Sequence, residues 1–273
     1  MNTHFLLPQS LINAFYMFLL HKKLDFIVVG VTKSGTTTLD SYLRIHPDIN
    51  LPYIKEIHFF DMGYKSWKKV FNYAPLHAYF SIKRKKTCAG EITPGYMFEK
   101  KALLNIHAYN PDIKIIAILR NPITRAYSQW NMAYTDKKDC ENFNDAIALE
   151  PIRIKKKPLQ YSYIARGFYC DQIQQIWSLF PRENTLFIKF DDFVLQPQKT
   201  LDTICSFLDI TKHDFVEQQW SRKGAYDHAM SEQEFSTLRH IFYDEIRNLE
   251  MLLSWDCEHW LNYHSINNNG VML

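Results

Sequence analysis

A lysine and a row of hydroxyl side chains follow the first strongly apolar segment of the chain. Residues 25–30 read Asp-Phe-Ile-Val-Val-Gly, and Val-Thr-Lys-Ser-Gly-Thr-Thr-Thr comes directly after them. Glycines permit tight turning, and successive backbone N–H groups at a helix start can hold an anion. Lys33 precedes Gly35, whereas nucleoside-triphosphate loops place their lysine directly after the second glycine. The displaced ammonium group indicates a loop for a shorter anion; the alternative is a hydroxyl-rich helix cap with an incidental lysine.

A carboxylate and an imidazole lie close together in the segment Lys-Glu-Ile-His-Phe-Phe-Asp of residues 55–61. In an extended backbone, residues two apart share one face, so Glu56 and His58 would point together. Burial beside Phe59 and Phe60 would raise the pKa of the Glu56 carboxyl group and strengthen it as a general base. The segment therefore indicates that Glu56 could serve as a general base with His58 beside it. The alternative is a solvated glutamate beside a histidine at the edge of the core.

A guanidinium group follows the clearest strand in the sequence, residues 113–119. Arg120 comes directly after it, and Asn121-Pro122 then forms a good helix start, with Asn as the N-cap and Pro at the first helical position. Guanidinium groups pair with two phosphate oxygens at once. The position of Arg120 thus indicates a phosphate contact, with a surface ion pair as the alternative.

The elements that must position these groups alternate between strands and helices. Strands are predicted over residues 25–30, 87–92, 113–119 and 184–190. Helices are predicted over residues 36–45, 99–109, 121–134, 162–180, 197–208 and 231–253. This order predicts an α/β fold, a single domain with a central parallel sheet flanked by helices. Ligands of such sheets bind beyond the carboxyl ends of the strands, where Lys33 and Arg120 are expected.

Composition limits the classes of partner and the setting. The chain has 273 residues, of which 47% are hydrophobic, and a net charge of +3, which is too small to indicate nucleic acid. Its five cysteines include no CxxC pair, which favours reduced thiols in a cytoplasmic protein over disulfides or a metal site. Residues 5–20 are apolar but interrupted by Pro8 and Asn13, and they are shorter than the ~20 residues of a spanning helix.

We therefore divide the chain into residues 1–24, an N-terminal apolar helix or arm; residues 25–260, the main domain; and residues 261–273, a flexible tail. The first of these would pack on the domain or touch a membrane surface peripherally.

Six segments in a fixed order together resemble a known family. They are Val29-Gly-Val-Thr-Lys-Ser-Gly-Thr-Thr-Thr38, His46-Pro47-Asp48, Lys55-Glu-Ile-His-Phe-Phe-Asp61, Gly90-Glu-Ile-Thr-Pro-Gly-Tyr96, Leu119-Arg-Asn-Pro-Ile-Thr-Arg-Ala-Tyr-Ser128 and Arg166-Gly-Phe-Tyr169. The chain resembles the sulfotransferases that use 3′-phosphoadenylyl sulfate (PAPS). The subgroup it resembles most is the heparan-sulfate N- and 3-O-sulfotransferase type with its bacterial relatives. The resemblance implies P-loop-containing nucleotide-binding architecture, PAPS as sulfuryl donor and no metal.

The resemblance also implies roles for individual residues. Glu56 would be the base assisted by His58, and Lys33 would stabilise the charge that develops on the bridging oxygen of the donor. Arg120 and Ser128 would bind the 3′-phosphate, and Tyr169 would line the donor site. The loop for the 5′-phosphosulfate would consist of Lys33, Ser34, Gly35, Thr36, Thr37 and Thr38. A late loop that touches the nucleotide in relatives is matched by Arg222, Lys223 and Gly224.

The sequence departs from the family pattern at two positions, and two rival functions compete with the sulfotransferase interpretation. Glycosaminoglycan members carry a second lysine where this chain has Ile92, and Ala225 replaces a basic residue after Gly224. The rivals are a P-loop kinase that uses ATP and Mg²⁺, and a non-catalytic protein that binds the spent nucleotide. No sequence pattern identifies the acceptor, which could be a glycan, a lipid or another small molecule.

Lysine-rich clusters occur at residues 65–69, 83–86 and 153–157. We expect them to be solvated faces; the alternative is that one of them steers an anionic acceptor.

Overall fold

A parallel five-stranded sheet lies at the centre of the protein. Its strands are β1 (Phe26–Gly30), β2 (Ile49–Asn50), β3 (Cys88–Ile92), β4 (Lys114–Leu119) and β5 (Thr185–Lys189). Their spatial order is β2-β3-β1-β4-β5, and each neighbouring pair is parallel. The computed structural model describes residues 23–61, 73–81, 88–215 and 229–263. Most of the predicted N-terminal arm and most of the predicted C-terminal tail therefore lie outside the described residues.

Helices cover both faces of this sheet, as the alternating pattern predicts. They are α1 (Thr36–Ile45), α2 (Ala74–His77), α3 (Lys100–Tyr109), α4 (Pro122–Thr135), α5 (Phe143–Arg153), α6 (Tyr169–Leu179), α7 (Phe190–Leu195), α8 (Pro197–Phe207) and α9 (Glu232–Leu253). Ala165–Gly167, Arg182–Asn184 and Glu258–Leu261 form short 3₁₀ helices. The α/β fold with a central parallel sheet is confirmed.

Successive residues of β1 explain how one strand supports two cores. Ile27 and Val29 join the cluster formed with α3, α4, α6 and α9. Phe26 and Val28 join the cluster formed with α1, α7 and α8 on the opposite face. Side chains alternate across a strand, so a strand covered by helices on both faces is apolar throughout. This is why residues 26–29 are apolar without interruption.

Local signals correctly predicted the helix starts. Asn121 caps α4, since its side chain accepts a hydrogen bond from the backbone N–H of Ile123, and Pro122 is the first helical residue. Ser231 caps α9 in a capping box with Glu234. The cap at Asn121 was predicted from residue type, whereas only the range of α9, and not its capping box, was predicted.

The predicted continuous helix over residues 162–180 is wrong. Only Tyr169–Leu179 is α-helical, and Phe168 before it has φ −81° and ψ 86°. The backbone N–H groups of Ile164 and Ala165 donate to the Glu150 carboxylate of α5 rather than to helical carbonyl groups. A side-chain carbon at Gly167 would lie 2.6 Å from the ring of Phe242 in α9. Tertiary contacts therefore replace the helix over the first part of this range.

Within the ranges given above, no helix is both long enough and apolar enough to cross a membrane.

Candidate active site

The loop after β1 leads into α1, and no side chain caps the N-terminus of this helix. Gly35 is the N-cap with φ 77°, a left-handed conformation that favours glycine, and it supplies no side-chain cap. Ser34 is fully buried, and its hydroxyl donates to the carbonyl of Val31 at 2.5 Å. Thr36 and Thr38 are also buried, while Thr37 is half-buried. The first backbone N–H groups of α1 therefore lack a side-chain partner of the usual kind, which suits an anion.

Lys33 and Arg120 come together across the ends of β1 and β4. The guanidinium of Arg120 donates from Nη1 to the carbonyl oxygen of Lys33 at 2.9 Å and from Nε to Thr124 Oγ1 at 3.0 Å. Arg120 is only 6% exposed, and its guanidinium lies 5.1 Å from the centre of the Phe190 ring. The Nζ atom of Lys33 lies 3.4 Å from the sulfur of Met132. The structure thus joins the loop and the guanidinium group that the sequence predicts as phosphate ligands.

Ser128 and Tyr169 lie on the α4 and α6 side of Arg120. Ser128 is buried in α4. Tyr169 is fully buried at the start of α6, and its hydroxyl donates to the carbonyl of Arg120 at 2.9 Å. Tyr169 therefore supports the backbone at Arg120, and its contact with a nucleotide stays a prediction. Arg222, Lys223 and Gly224 lie outside the described residues.

Glu56 and His58 meet, but not through the extended backbone that the sequence suggested. Both residues adopt left-handed conformations, with φ 59° for Glu56 and φ 55° for His58. Such values are uncommon for residues other than glycine. The side chains nevertheless approach, with His58 Nε2 at 3.7 Å from Glu56 Oε2. The predicted pair is present, and the predicted backbone is wrong.

The predicted rise in the pKa of the Glu56 carboxyl group is also wrong in this structure. The neighbouring His58 is the largest cause that lowers that pKa, to about 2, and although burial opposes this change, Lys55 lowers the pKa further. The Nζ atom of Lys55 lies 2.5 Å from Glu56 Oε1, and the Glu56 side chain is 41% exposed. Cations on both carboxylate oxygens therefore outweigh the effect of the neighbouring phenylalanines.

Asp61 is a member of this cluster that the sequence did not predict. Its Oδ2 atom lies 2.7 Å from Nδ1 of His58, and the Asp61 side chain is only 4% exposed. The Asp61 hydrogen bond, followed by that of Glu56, raises the pKa of His58 to about 10. Its position in the sequence could have indicated this contact, because Asp61 stands three residues after His58 in the segment that carries the predicted base. Asp61 thus keeps the imidazole protonated next to Glu56.

A second carboxyl group, Glu91, lies beneath the segment that carries the base. It is fully buried at the end of β3, and burial raises its pKa to about 7. Thr93 Oγ1 donates to Glu91 Oε2 at 3.3 Å, while the hydroxyl of Tyr96 accepts the backbone N–H of Phe60 at 3.2 Å. The Gly90–Tyr96 segment therefore fixes the backbone between His58 and Asp61, a role that residue types alone did not indicate.

The base segment and the anion loop lie at neighbouring strand ends. The backbone N–H of Glu56 donates to the carbonyl of Ile92 at 3.2 Å, and the N–H of Thr93 donates to the carbonyl of Val28 at 3.1 Å. Adjacent strands are about 4.8 Å apart, so Glu56 is beside the edge from which the loop of residues 30–38 departs. Ile92 itself is in the core, 1% exposed.

The donor set of the loop after β1 suits a phosphate group. Thr32 Oγ1 is buried without a hydrogen-bond partner beside the uncapped start of α1, so a donor is available for an anion. Across the described ranges, no three or more His, Cys, Asp or Glu side chains are grouped so that they could hold a metal ion. The arrangement offers backbone and hydroxyl donors, an ammonium group, a guanidinium group and a carboxylate at one edge of the sheet.

Comparison with known proteins assigns this arrangement to a family. Residues 23–254 match the sulfotransferase domain. The chain is similar to heparan sulfate glucosamine 3-O-sulfotransferase 6 of Homo sapiens, with 29% identity over 194 residues, or 68% of this chain and 52% of the relative. Heparan sulfate glucosamine 3-O-sulfotransferase 3B1 of Homo sapiens is 27% identical over 190 residues, or 68% of this chain and 46% of the relative. The chain spans about half the length of these curated relatives.

Solved structures agree with that assignment. A sulfotransferase from Alicyclobacillus acidocaldarius superposes with a TM-score of 0.75 and 28% identity, over 88% of this chain and 100% of that one. The fold is also that of a mouse sulfotransferase complexed with PAP (adenosine 3′,5′-bisphosphate). The TM-score is 0.55 and the identity 17%, over 84% of this chain and 86% of that one.

Proposed function

The chain belongs to the sulfotransferase domain family, and we propose that it transfers a sulfuryl group from PAPS to a hydroxyl or amine group of an acceptor. One observation carries the proposal. The guanidinium of Arg120 donates to the carbonyl of Lys33, so a predicted 3′-phosphate ligand is joined to the predicted 5′-phosphosulfate loop. A nucleotide with phosphates at both positions would then be held across the ends of β1 and β4.

The donor would be held by two groups of residues. Backbone N–H groups and hydroxyl groups of residues 33–38 would bind the 5′-phosphosulfate, since they form an uncapped helix start after a buried strand. Arg120 and Ser128 would bind the 3′-phosphate. Bound PAPS supplies an activated sulfuryl group with adenosine 3′,5′-bisphosphate (PAP) as leaving group. The ammonium group of Lys33 would stabilise the charge on the departing oxygen without a metal ion.

Glu56 would take the proton of the acceptor. An acceptor hydroxyl must lose its proton as its oxygen attacks sulfur, and a carboxylate within hydrogen-bond reach serves that purpose. Glu56 is half-exposed beside the edge where the donor would lie. His58, held by Asp61, would orient the carboxylate from its other side.

The acceptor is a carbohydrate in this proposal, with a lipid or another small molecule as the alternative. Support for a carbohydrate comes from the curated relatives, which act on heparan sulfate glucosamine according to their names. The setting would be the cytoplasm, in line with the free state of all five cysteines in the structure.

The experiment uses the full chain, radiolabelled PAPS and separate panels of glycans and lipids. Label that appears in an acceptor together with released PAP would support the proposal, and the panel identifies the acceptor class. A thermal-shift comparison addresses the rivals. Stabilisation by ATP with Mg²⁺ but not by PAP would favour a kinase. Stabilisation by PAP without label transfer to any acceptor would favour a non-catalytic binding protein.

A further inference from the structure

Both carboxylate oxygens of Glu56 face a cationic group. Lys55 Nζ lies 2.5 Å from Oε1, and His58 Nε2 lies 3.7 Å from Oε2. The lysine side chain is 18% exposed, so most of its length is covered by protein. The proposed base is thus engaged on both sides.

This engagement conflicts with the proposed role of Glu56. Proton transfer is most efficient when the pKa of a base lies near the working pH. His58 and Lys55 instead hold the pKa of Glu56 near 2. A carboxylate so strongly stabilised is a poor proton acceptor at neutral pH. The ammonium group of Lys55 also occupies Oε1 of Glu56, so an acceptor hydroxyl reaches that oxygen only if Lys55 moves away.

Lys55 is the cation that is free to move. The imidazole of His58 is fixed from behind by Asp61 at 2.7 Å. The backbone between His58 and Asp61 is held in turn by Tyr96, and Asn105 donates to the carbonyl of Phe60 at 2.7 Å. Lys55 carries its ammonium group on a flexible four-carbon stem, and it forms an ion pair with Glu56. Its departure would cost one contact rather than a network.

The bound donor offers a new partner for this ammonium group. Glu56 is hydrogen-bonded through its backbone to Ile92, and Thr93 is bonded to Val28 of the strand that leads into the anion loop. A sulfuryl group held by that loop would bring negatively charged oxygens to the strand ends beside Lys55. An ammonium group between two anionic partners moves toward the one with more charge and less solvent.

We propose that Lys55 moves from the carboxylate of Glu56 to the sulfuryl oxygens of bound PAPS, so that donor binding frees Oε1 of Glu56 and adds a cation at the transferring group. This inference rests on the proposed function. In the transfer, the acceptor oxygen forms a bond to sulfur and the bond from sulfur to the bridging oxygen breaks. The acceptor proton goes to Glu56, and the electron pair of the broken bond leaves with PAP. Lys55 stays protonated throughout.

The charged groups around Glu56 are Lys55 and His58, with Asp61 and Glu91 behind the imidazole. Asp61 and Glu91 are acidic, so neither could supply a positive charge in place of Lys55 when it leaves. Removal of the lysine charge would therefore remove both effects of the proposed movement.

The test compares binding of PAPS and PAP, which differ only in the sulfuryl group. Calorimetric titrations would use the full chain, the variants Lys55→Met and Lys55→Arg, and the control Lys138→Met, whose ammonium group pairs with Asp136 at 2.9 Å on the surface. We expect Lys55→Met to weaken PAPS binding about 10-fold, as for the loss of one charge-assisted contact, and to leave PAP binding within about 2-fold of the original chain. Lys55→Arg should retain part of the affinity, and the control should change neither.

A measurement on the unaltered chain removes the dependence on variant folding. Amine labelling followed by peptide mass spectrometry reports the accessibility of Lys55. Saturating PAPS should slow labelling of Lys55, and saturating PAP should not. Equal binding losses for PAPS and PAP in Lys55→Met, or equal labelling of Lys55 with both nucleotides, would overturn the inference. Failure of the unaltered chain to bind either nucleotide would instead overturn the proposed function.

Discussion

Nδ1 of His58 lies 2.7 Å from Oδ2 of Asp61, while the other ring nitrogen of His58 faces Glu56 at 3.7 Å. With Lys55 on the far oxygen of Glu56, four side chains form a row whose charges alternate. The buried end of the row is Asp61, and the exposed middle is the proposed base. The row therefore fixes both the position of the base and its affinity for a proton.

The Asp61→Asn substitution should lower the pKa of His58 from about 10 toward its ordinary value, because the Asp61 hydrogen bond is the largest cause of the shift. Titration of the ring by NMR would measure this change directly. Glu183→Gln, on an exposed 3₁₀ turn, is a charge control that should leave the His58 titration unchanged. A pKa of His58 that stays near 10 in Asp61→Asn would contradict the role given to Asp61.

The ion pair of His58 with Asp61 makes the free energy of unfolding depend on pH in the alkaline range. The pKa of His58 is raised in the folded chain from 6.5 to about 10, so its ion pairs contribute fully below 6.5 and are lost as pH rises toward 10. The free energy of unfolding from urea titrations should fall between these two pH values. The fall should be smaller in Asp61→Asn. An identical slope in the two proteins would mean that His58 is not the group responsible.

The Glu56→Gln substitution should lower the rate of sulfuryl transfer by about 100- to 10,000-fold, the usual contribution of a general base. Binding of PAP should remain near normal, because Glu56 is not among the proposed nucleotide ligands. Released PAP reports the rate, and calorimetry reports the affinity. Glu183→Gln again serves as the control and should retain activity. Turnover retained in Glu56→Gln would remove Glu56 from the role of base.

The Arg120→Lys substitution should reduce selectivity for the 3′-phosphate. A lysine keeps the charge but loses the forked donors, so PAP affinity should fall by about 10- to 100-fold. Adenosine 5′-phosphate lacks the 3′-phosphate, and its affinity should change little. Arg182→Lys, at an exposed position over Trp177, is the control. Equal losses for the two nucleotides would show that Arg120 acts on the loop at Lys33 rather than on the 3′-phosphate.

The Gly90→Ala substitution should destabilise the sheet. A side-chain carbon at Gly90 would lie 2.3 Å from the ring of Phe26 in β1, and overpacking of this kind costs about 1–3 kcal/mol. Gly95→Ala is the matched control, since its nearest neighbour would be at 3.9 Å. Urea unfolding should show a clear loss of stability for Gly90→Ala alone, and equal stability of the two variants would contradict the packing at this position.

Sequence reasoning succeeded where neighbours in the chain decide the outcome. The strand before Lys33, the helix from Thr36 to Ile45 and the cap at Asn121 all depend on local residue types and were predicted closely. The helix over residues 162–180 failed because Glu150 and Phe242, distant in sequence, set the backbone there.

Glu56 and His58 were correctly predicted to lie together, but the predicted backbone and the predicted direction of the Glu56 pKa were wrong. The role of Glu56 as a base stays a prediction. Two phenylalanines beside Glu56 suggested burial and a raised pKa. The ion pairs with His58 and Lys55 reverse that direction, and the left-handed backbone at Glu56 and His58 that brings them together has no signature in residue type. Asp61 was missed for a related reason, because its importance arises from the imidazole that it contacts.

The most direct test of the account is calorimetric titration of the full chain with PAP at neutral pH, with ATP and Mg²⁺ as the comparison. The account predicts saturable binding of PAP in the micromolar range and much weaker binding of ATP. Absence of PAP binding up to millimolar concentration would contradict the assignment of the loop after β1 and of Arg120 as the two phosphate sites.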